Sequence, residues 1–348
     1  MIAAARLTIV LAAAPAIASA LLLAAPVAVP VAVADDPRPY DAGRVLLTFT
    51  DPAIAESSGL TASGARDDVV FTLNDSGDRA RLFAVDRSGR TLSTHTLPDV
   101  KARDWEDLAR GPDRTLWIAD IGDNGASRDR GVLVHRVPEP TELTGTTRTA
   151  PPATFRLRYE DGPRDAEALL VHPRTGQVAV VTKSLGGAGG LYLAPLPLTG
   201  DVNVLRRVAD VPVMLVTGGA LSPQGDRLVL RNYDDAYEWI VRGDSADDLV
   251  AALAGPATSI SLPDTDQGEA ISYSRDGRDL LTSSEGAGAP VHLLAGRAGA
   301  GSAAAERSAS PGADEPGGAD RRPGLLLALA AGLGGAALLL GYRRRRRG

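Results

Sequence analysis

Cysteine is absent from the 348 residues. That absence excludes disulfides, thiolate metal sites, cysteine nucleophiles and a lipoprotein anchor, so stability must come from the apolar core. Lysine occurs only at Lys101 and Lys183, and arginine carries almost all the positive charge. Aromatic residues make up 4% of the chain, too few for a broad sugar-binding platform. A Gly-x-Ser-x-Gly elbow is missing, which argues against a standard serine hydrolase. The four histidines, His95, His135, His172 and His292, share no metal-ligand spacing.

The two ends are apolar. Arg6 is followed by an apolar run to Ala34 that ends Ala32-Val33-Ala34, the form of a cleaved secretory signal over residues 1–34. Residues 35–44 form a short lead. At the other end, residues 324–342 are long enough to span a hydrocarbon core as one helix. Arg343 to Arg347 follow within residues 343–348 and are expected to stay cytoplasmic. Between domain and helix, residues 296–323 are rich in Ala, Gly, Ser and Pro and predict a flexible stalk. The expectation is therefore an exported domain, held at the plasma membrane by a C-terminal helix, with its C-terminus inside.

Eight arginines and no acids lie outside residues 35–320, so that stretch carries −14 against −6 for the whole chain. Such a surface repels nucleic acid and favours basic or cationic partners, whether an extracellular protein or a small ligand.

Five segments share one pattern. Each begins with an acidic or small-residue entry and an apolar position, at Leu60, Leu108, Leu169, Leu221 and Ile271, which are 48, 61, 52 and 50 residues apart. Two further β-rich runs follow in each, and a fourth precedes the next unit, at 92–97, 154–159, 204–209 and 258–262. Four short strands per unit of about 50 residues is the period of a β-propeller. The fifth unit lacks its fourth strand, and the spare run Val45 to Thr50 is placed to supply it and close the ring. The prediction is an all-β propeller over residues 45–295, with five four-stranded blades and six as the alternative. The histidines fall at blade surfaces. Leu249, Val250 and Leu253 suggest a short helix below the disc.

The turns His172-Pro173-Arg174-Thr175-Gly176, Ser222-Pro223-Gln224-Gly225-Asp226 and Ser274-Arg275-Asp276-Gly277-Arg278 recur at one place. They resemble the Ser-Pro-Asp-Gly turn of TolB-type and other WD-like bacterial propeller repeats. The resemblance implies architecture and no particular activity.

Strand alternation puts the loops entering the inner strands, and those joining second to third strands, on one upper face. Entry loops bring Glu56, Asp104, Trp105, Glu106, Asp165, Glu167 and Glu269 there. Second-to-third loops bring Asp75, Asp78, Asp123, Asn124, Lys183, Asp234 and Glu285. Glu106, Glu167 and Glu269 are equivalent positions near the channel, where like charges raise one another's pKa unless a cation neutralises them. They are candidate metal ligands or catalytic carboxylates, and an oxygen-only set suits Ca²⁺. The structural alternative is that each acid accepts backbone N–H bonds and ties neighbouring blades. Neither Asp-rich loop is an EF-hand, since Gly122 and Gly131 stand at ligand positions. Asp75, Asp78, Asp104, Trp105, Asp123, Asn124, Asp165, Lys183 and Asp234 are the candidate ligand-binding residues, Trp105 as a stacking platform or as packing. The function expected first is a surface-displayed binding or scaffold propeller. A cation-dependent hydrolase of lactonase or esterase type, or a glycosidase, is the alternative, and it predicts an open pocket with a carboxylate of raised pKa.

Overall fold

The β-branched and apolar runs, punctuated by Gly, Pro, Asp and Asn, become strands throughout residues 40–297, the part of the chain that the computed structural model describes. The leader 1–34, the stalk from residue 298 on, the helix 324–342 and the arginine tail lie outside the described residues. Among the described residues no helix is long and apolar enough to cross a membrane.

After β1 (Arg44–Thr48), the chain repeats an antiparallel meander. The first is β2 (Ser57–Ala62), β3 (Val69–Asn74), β4 (Arg81–Asp86) and β5 (Thr91–Thr96). Next come β6 (Trp105–Gly111), β7 (Thr115–Asp120) and β8 (Val132–Pro138), the short β9 (Gly145–Arg148) and then β10 (Ala153–Tyr159). The third holds β11 (Ala166–Val171), β12 (Val178–Thr182), β13 (Gly189–Leu193) and β14 (Val202–Val211). The fourth holds β15 (Gly218–Leu221), β16 (Arg227–Arg231), β17 (Asp235–Ile240), helix α1 (Ala246–Leu253) and β18 (Thr258–Ser261). The last holds β19 (Gly268–Tyr273), β20 (Leu280–Ser284) and β21 (Pro290–Leu294).

β1 pairs antiparallel with β21, Arg44 opposite Leu293 and Thr48 opposite Pro290, so the N-terminal strand completes the last array as expected. The innermost strands β2, β6, β11, β15 and β19 neighbour one another in turn, and β19 returns to β2. This closed cycle is the arrangement of a β-propeller. Every residue of β2, β11 and β19 is buried, as befits strands covered on both faces. Two pairings join arrays at their outer edges: β9 lies parallel to β5, and β10 parallel to β14. The strand β9 has no counterpart in the sequence reading.

Apolar side chains fill the space between arrays. Between the third and fourth, Leu170, Val181 and Leu191 pack with Leu228, Leu230 and Trp239. Helix α1 lays Leu249 and Leu253 on the same cluster. Its start is fixed by a capping box, in which Ser245 accepts from the Asp248 N–H and Asp248 accepts from that of Ser245. Gly176, Gly225 and Gly277 adopt φ of 72°, 73° and 78°, which explains the glycine in the recurring turns. The histidines depart from expectation. His95, His135 and His172 are buried inside the arrays rather than set on their surfaces, and burial drives the His135 pKa down to about 4.

Candidate functional site

The inner strands do not start as regular ladders. Register slips between Trp105 and Asp107 in β6, between Ala166 and Ala168 in β11, and between Gly268 and Ile271 in β19. The displaced residues include Glu106, Glu167 and Glu269. An extra residue at a strand edge re-aims its side chain. Here it turns three glutamates from the ladder faces toward the channel mouth. β15 has no slip and carries Gly219 at the equivalent place, so the arrangement is asymmetric.

All three carboxyl groups are buried. Burial raises the Glu106 pKa well above the carboxylate range, and the charges of Glu167, Asp75, Asp104 and Glu269 push the same way. Glu269 is raised by burial and by Glu167, with Lys183 pulling against them. Burial lifts Glu167 to about 7 even though the Lys183 ammonium opposes it. Lys183 Nζ donates to Glu167 Oε1 at 2.6 Å and to the Tyr233 hydroxyl at 2.8 Å. Burial disfavours that ammonium, but Glu167, Tyr233 and Glu269 outweigh it and hold the lysine charged. The second Glu167 oxygen is buried without a hydrogen-bond partner among the described residues.

Asp75, Asp104 and Glu106 each offer an oxygen, and the three oxygens lie within 4.8 Å of one another. Gly122 makes the approach possible. A Cβ there would stand 2.0 Å from Glu106 Oε1 and 2.6 Å from Asp104 Oδ2. The sequence reading took this glycine as a missing ligand, whereas its lack of a side chain leaves room for two others. An all-oxygen set of this kind fits a hard divalent cation such as Ca²⁺.

Some expected ligand residues do not join the constellation. Trp105 opens β6 but is buried among Leu73, Leu97 and Leu108, so it is core packing and no stacking platform. Asp78 pairs with Arg81 at 2.8 Å and accepts from Asn74. Asp123 accepts from the Ser127 and Arg128 N–H groups, and its own N–H donates to Asp165 Oδ1 at 2.8 Å. Asp123 and Asp165 thus shape a loop. Asn124 and Asp234 are exposed turn residues. Asp75, Asp104, Glu106, Glu167, Glu269 and Lys183 are what the fold brings together.

No protein-family model and no curated protein sequence matches the chain. Solved structures of similar arrangement do exist. A PQQ-bound aldose sugar dehydrogenase from Streptomyces coelicolor is 10% identical, with 78% of this chain and 99% of that one covered at a TM-score of 0.45. The gluconolactonase XC5397 from Xanthomonas campestris is 16% identical, covering 77% and 88% at 0.40. The glutaminyl cyclase of Myxococcus xanthus is 11% identical, covering 75% and 100% at 0.47. At such values these likenesses carry no argument about which reaction, if any, this chain performs. The expectation of a binding or scaffold module is nevertheless corrected. The channel mouth holds the buried carboxyls of raised pKa that belonged to the catalytic alternative.

Several residues of the site escaped the sequence reading. Tyr233 shares the Lys183 ammonium with Glu167. Its place in an Asn-Tyr-Asp-Asp turn was visible, but nothing distinguished it from an ordinary turn aromatic. Arg231 is fully buried beside Gly268, where a Cβ would lie 1.8 Å from the guanidinium. It donates to the carbonyls of Asn232, Tyr233 and Ala270, and burial lowers its pKa to about 10. Arg128 pairs with Asp120 at 2.8 Å with both side chains buried. Asp107 accepts from the N–H of Leu108 and, across the array boundary, from that of Leu169 at 2.8 Å.

Proposed function

We propose that this chain is a cation-dependent hydrolase of esters or lactones, working at the mouth of a five-bladed ring. The observation that carries the reading is the charge balance of the site. Asp75, Asp104, Glu106, Glu167 and Glu269 converge with Lys183 as the lysine that meets them. Two like charges 4 Å apart repel by about 4 kcal/mol at an effective dielectric of 20. Protons or a divalent cation must relieve this, and Asp75, Asp104 and Glu106 would hold the cation.

A bound cation supplies Lewis acidity at a carbonyl oxygen. The chain's own residues supply the rest. Glu269, its proton affinity raised by burial and by Glu167, is the carboxyl suited to exchange a proton with the reacting water or leaving group. Lys183 opposes protonation of Glu167 and directs an N–H at the Tyr233 oxygen. That leaves the Tyr233 O–H to donate toward an oxygen gaining charge in the substrate. Asp120 and Arg128, paired and buried, fix the loop carrying Gly122.

The test uses the full chain, freed of metal with EDTA and resupplied with Ca²⁺, Mg²⁺ or Mn²⁺, against aryl esters and lactones. Glu106→Gln is expected to remove the cation-induced rise in melting temperature and to lower hydrolysis by about 100-fold or more. Absence of both hydrolysis and a cation-induced shift in the unaltered chain would end the proposal. Export and membrane anchoring rest on the sequence of the two ends alone, and protease accessibility on intact cells tests them.

A further inference from the structure

We infer that the lower end of the channel is a second binding site, for a small anion that presents carboxylate or phosphate oxygens to Arg110. The lower ends of all five inner strands surround a cavity of about 180 Å³, with Thr61 from β2, Arg110 from β6, Ser272 and Tyr273 from β19, Ser222 after β15, and Asp113 at the rim. Arg110 lies four residues beyond Glu106 on one extended strand, roughly 13 Å at the ordinary strand rise. The two ends of the channel are thus separate places with opposite charge preferences.

Arg110 is half-buried. Among the described residues no carboxylate comes within ion-pair distance of it. Its guanidinium has one long bond, from Nη1 to the Ala62 carbonyl at 3.4 Å. Glu139 is the nearest opposing charge that acts on it, but the Glu139 oxygens already accept from Ser63 Oγ at 2.5 Å and from Gly64 N at 3.0 Å. Arg275, the other cation in its field, is taken up by Asp67 at 2.8 Å. A guanidinium that is partly desolvated and unpaired favours an anion with two oxygens in its plane. Hydroxyls complete the setting. Ser272 Oγ makes only a 3.3 Å contact with the Tyr273 carbonyl, and Thr61 is buried at the end of β2. Ser222 and Tyr273 are already committed to Asp226 and Glu238. The rim carboxylate of Asp113 is exposed and opposes a highly charged ligand, so a small anion of low charge fits best.

The cavity is small beside the pockets of about 300 Å³ or more that hold drug-sized ligands. The probes are therefore inorganic phosphate and malonate, each titrated calorimetrically into the full chain at an ionic strength held constant with chloride. Saturable one-to-one binding of at least one of them is expected, and whichever binds more tightly identifies the oxygen chemistry. Arg110→Gln is expected to weaken it by about tenfold or more, and Ser272→Ala by a few-fold. Failure of both anions to saturate the unaltered chain overturns the inference. So does unchanged affinity in a folded Arg110→Gln variant. Should that variant not fold by circular dichroism, unchanged affinity in Ser272→Ala has the same force.

Discussion

A single hydrogen atom decides whether Asp104 and Glu106 can meet. Gly122→Ala would place a methyl 2.0 Å from Glu106 Oε1, so one of the carboxylates must leave. Cation affinity is expected to fall by about 10–100-fold, the usual cost of disturbing a metal's surroundings, and a Ca²⁺ titration followed by melting temperature measures it. Undiminished affinity would mean that Asp75, Asp104 and Glu106 do not act together. The raised carboxyls also set a pH dependence. Glu167 at about 7 and Asp107 at about 8 bind protons in the fold that the unfolded chain has released. Stability therefore falls as pH rises from their unfolded pKa values through these folded ones. Buried histidines work in the opposite sense. Their lowered pKa makes the fold gain stability as pH climbs toward 6.5. The two trends oppose below 6.5, and only the carboxyl trend persists above it. In EDTA, the melting temperature should drop between pH 6.5 and 8 by roughly 3 °C or more. Saturating Ca²⁺ should flatten part of that drop, because a cation replaces the protons on the upper face. A melting temperature level across that range without metal would contradict the buried, raised carboxyls.

Strands rather than single residues explain which acids became structural. The tying role weighed for the entry-loop acids is taken by Asp165, which accepts from the Asp123 N–H, and by Asp107, one position beyond Glu106. Asp107 bridges β6 to β11 because the slip between Trp105 and Asp107 turns Glu106 toward the channel and Asp107 toward the neighbouring strand. Replacing it with alanine strands the Leu108 and Leu169 N–H groups in the interior. Buried donors left without partners cost about 1–3 kcal/mol each, so Asp107→Ala should lose about 2–5 kcal/mol in a urea titration. A loss under about 0.5 kcal/mol would show that the bridge is dispensable. The strand pattern itself was legible, because short β-rich runs and Pro/Gly turns are local properties of the chain. The helix at Leu249 and Leu253 was legible for the same reason. The slips were not legible. A bulge changes which way Glu106 and Glu167 point without changing the apolar alternation around them. Nor was β9, whose Gly-Thr-Thr-Arg run gains its strand character only from the β5 edge beside it. Of the two roles weighed for Trp105, the buried first residue of β6 takes packing rather than stacking on a ligand. Arg231 and Gly268 could not be paired from sequence, since 37 residues and an array boundary separate them.

Closure of the ring is a property of the whole molecule, and it was foreseeable from counting runs: one too many before the first unit, one too few after the fifth. The fold pins this spare strand with more than its ladder to β21. Leu47 and Phe49 enter the cluster shared with Phe83, Ala270 and Val291. Tyr40 donates its hydroxyl to Glu238 at 2.7 Å, an oxygen that also accepts from Tyr273. Each buried large apolar side chain contributes about 1.5–3 kcal/mol. Losing Tyr40, Leu47 and Phe49 together removes roughly 5–9 kcal/mol, against a total stability of about 5–15 kcal/mol for a typical domain. The loss also bares β21 as an edge able to pair with other chains. Deletion of residues 40–50 from the full chain is therefore expected to abolish a cooperative thermal transition and to promote aggregation. A synthetic peptide of the same eleven residues, added in excess, should restore the transition, because the strand is held by its ladder to β21 and its apolar contacts and can fold together with the rest of the chain without being continuous with it. A ring that melted unchanged without the segment would place closure elsewhere. It would also detach the upper carboxylates from their explanation, since β19 with Glu269 is held against β2 in the same closing array.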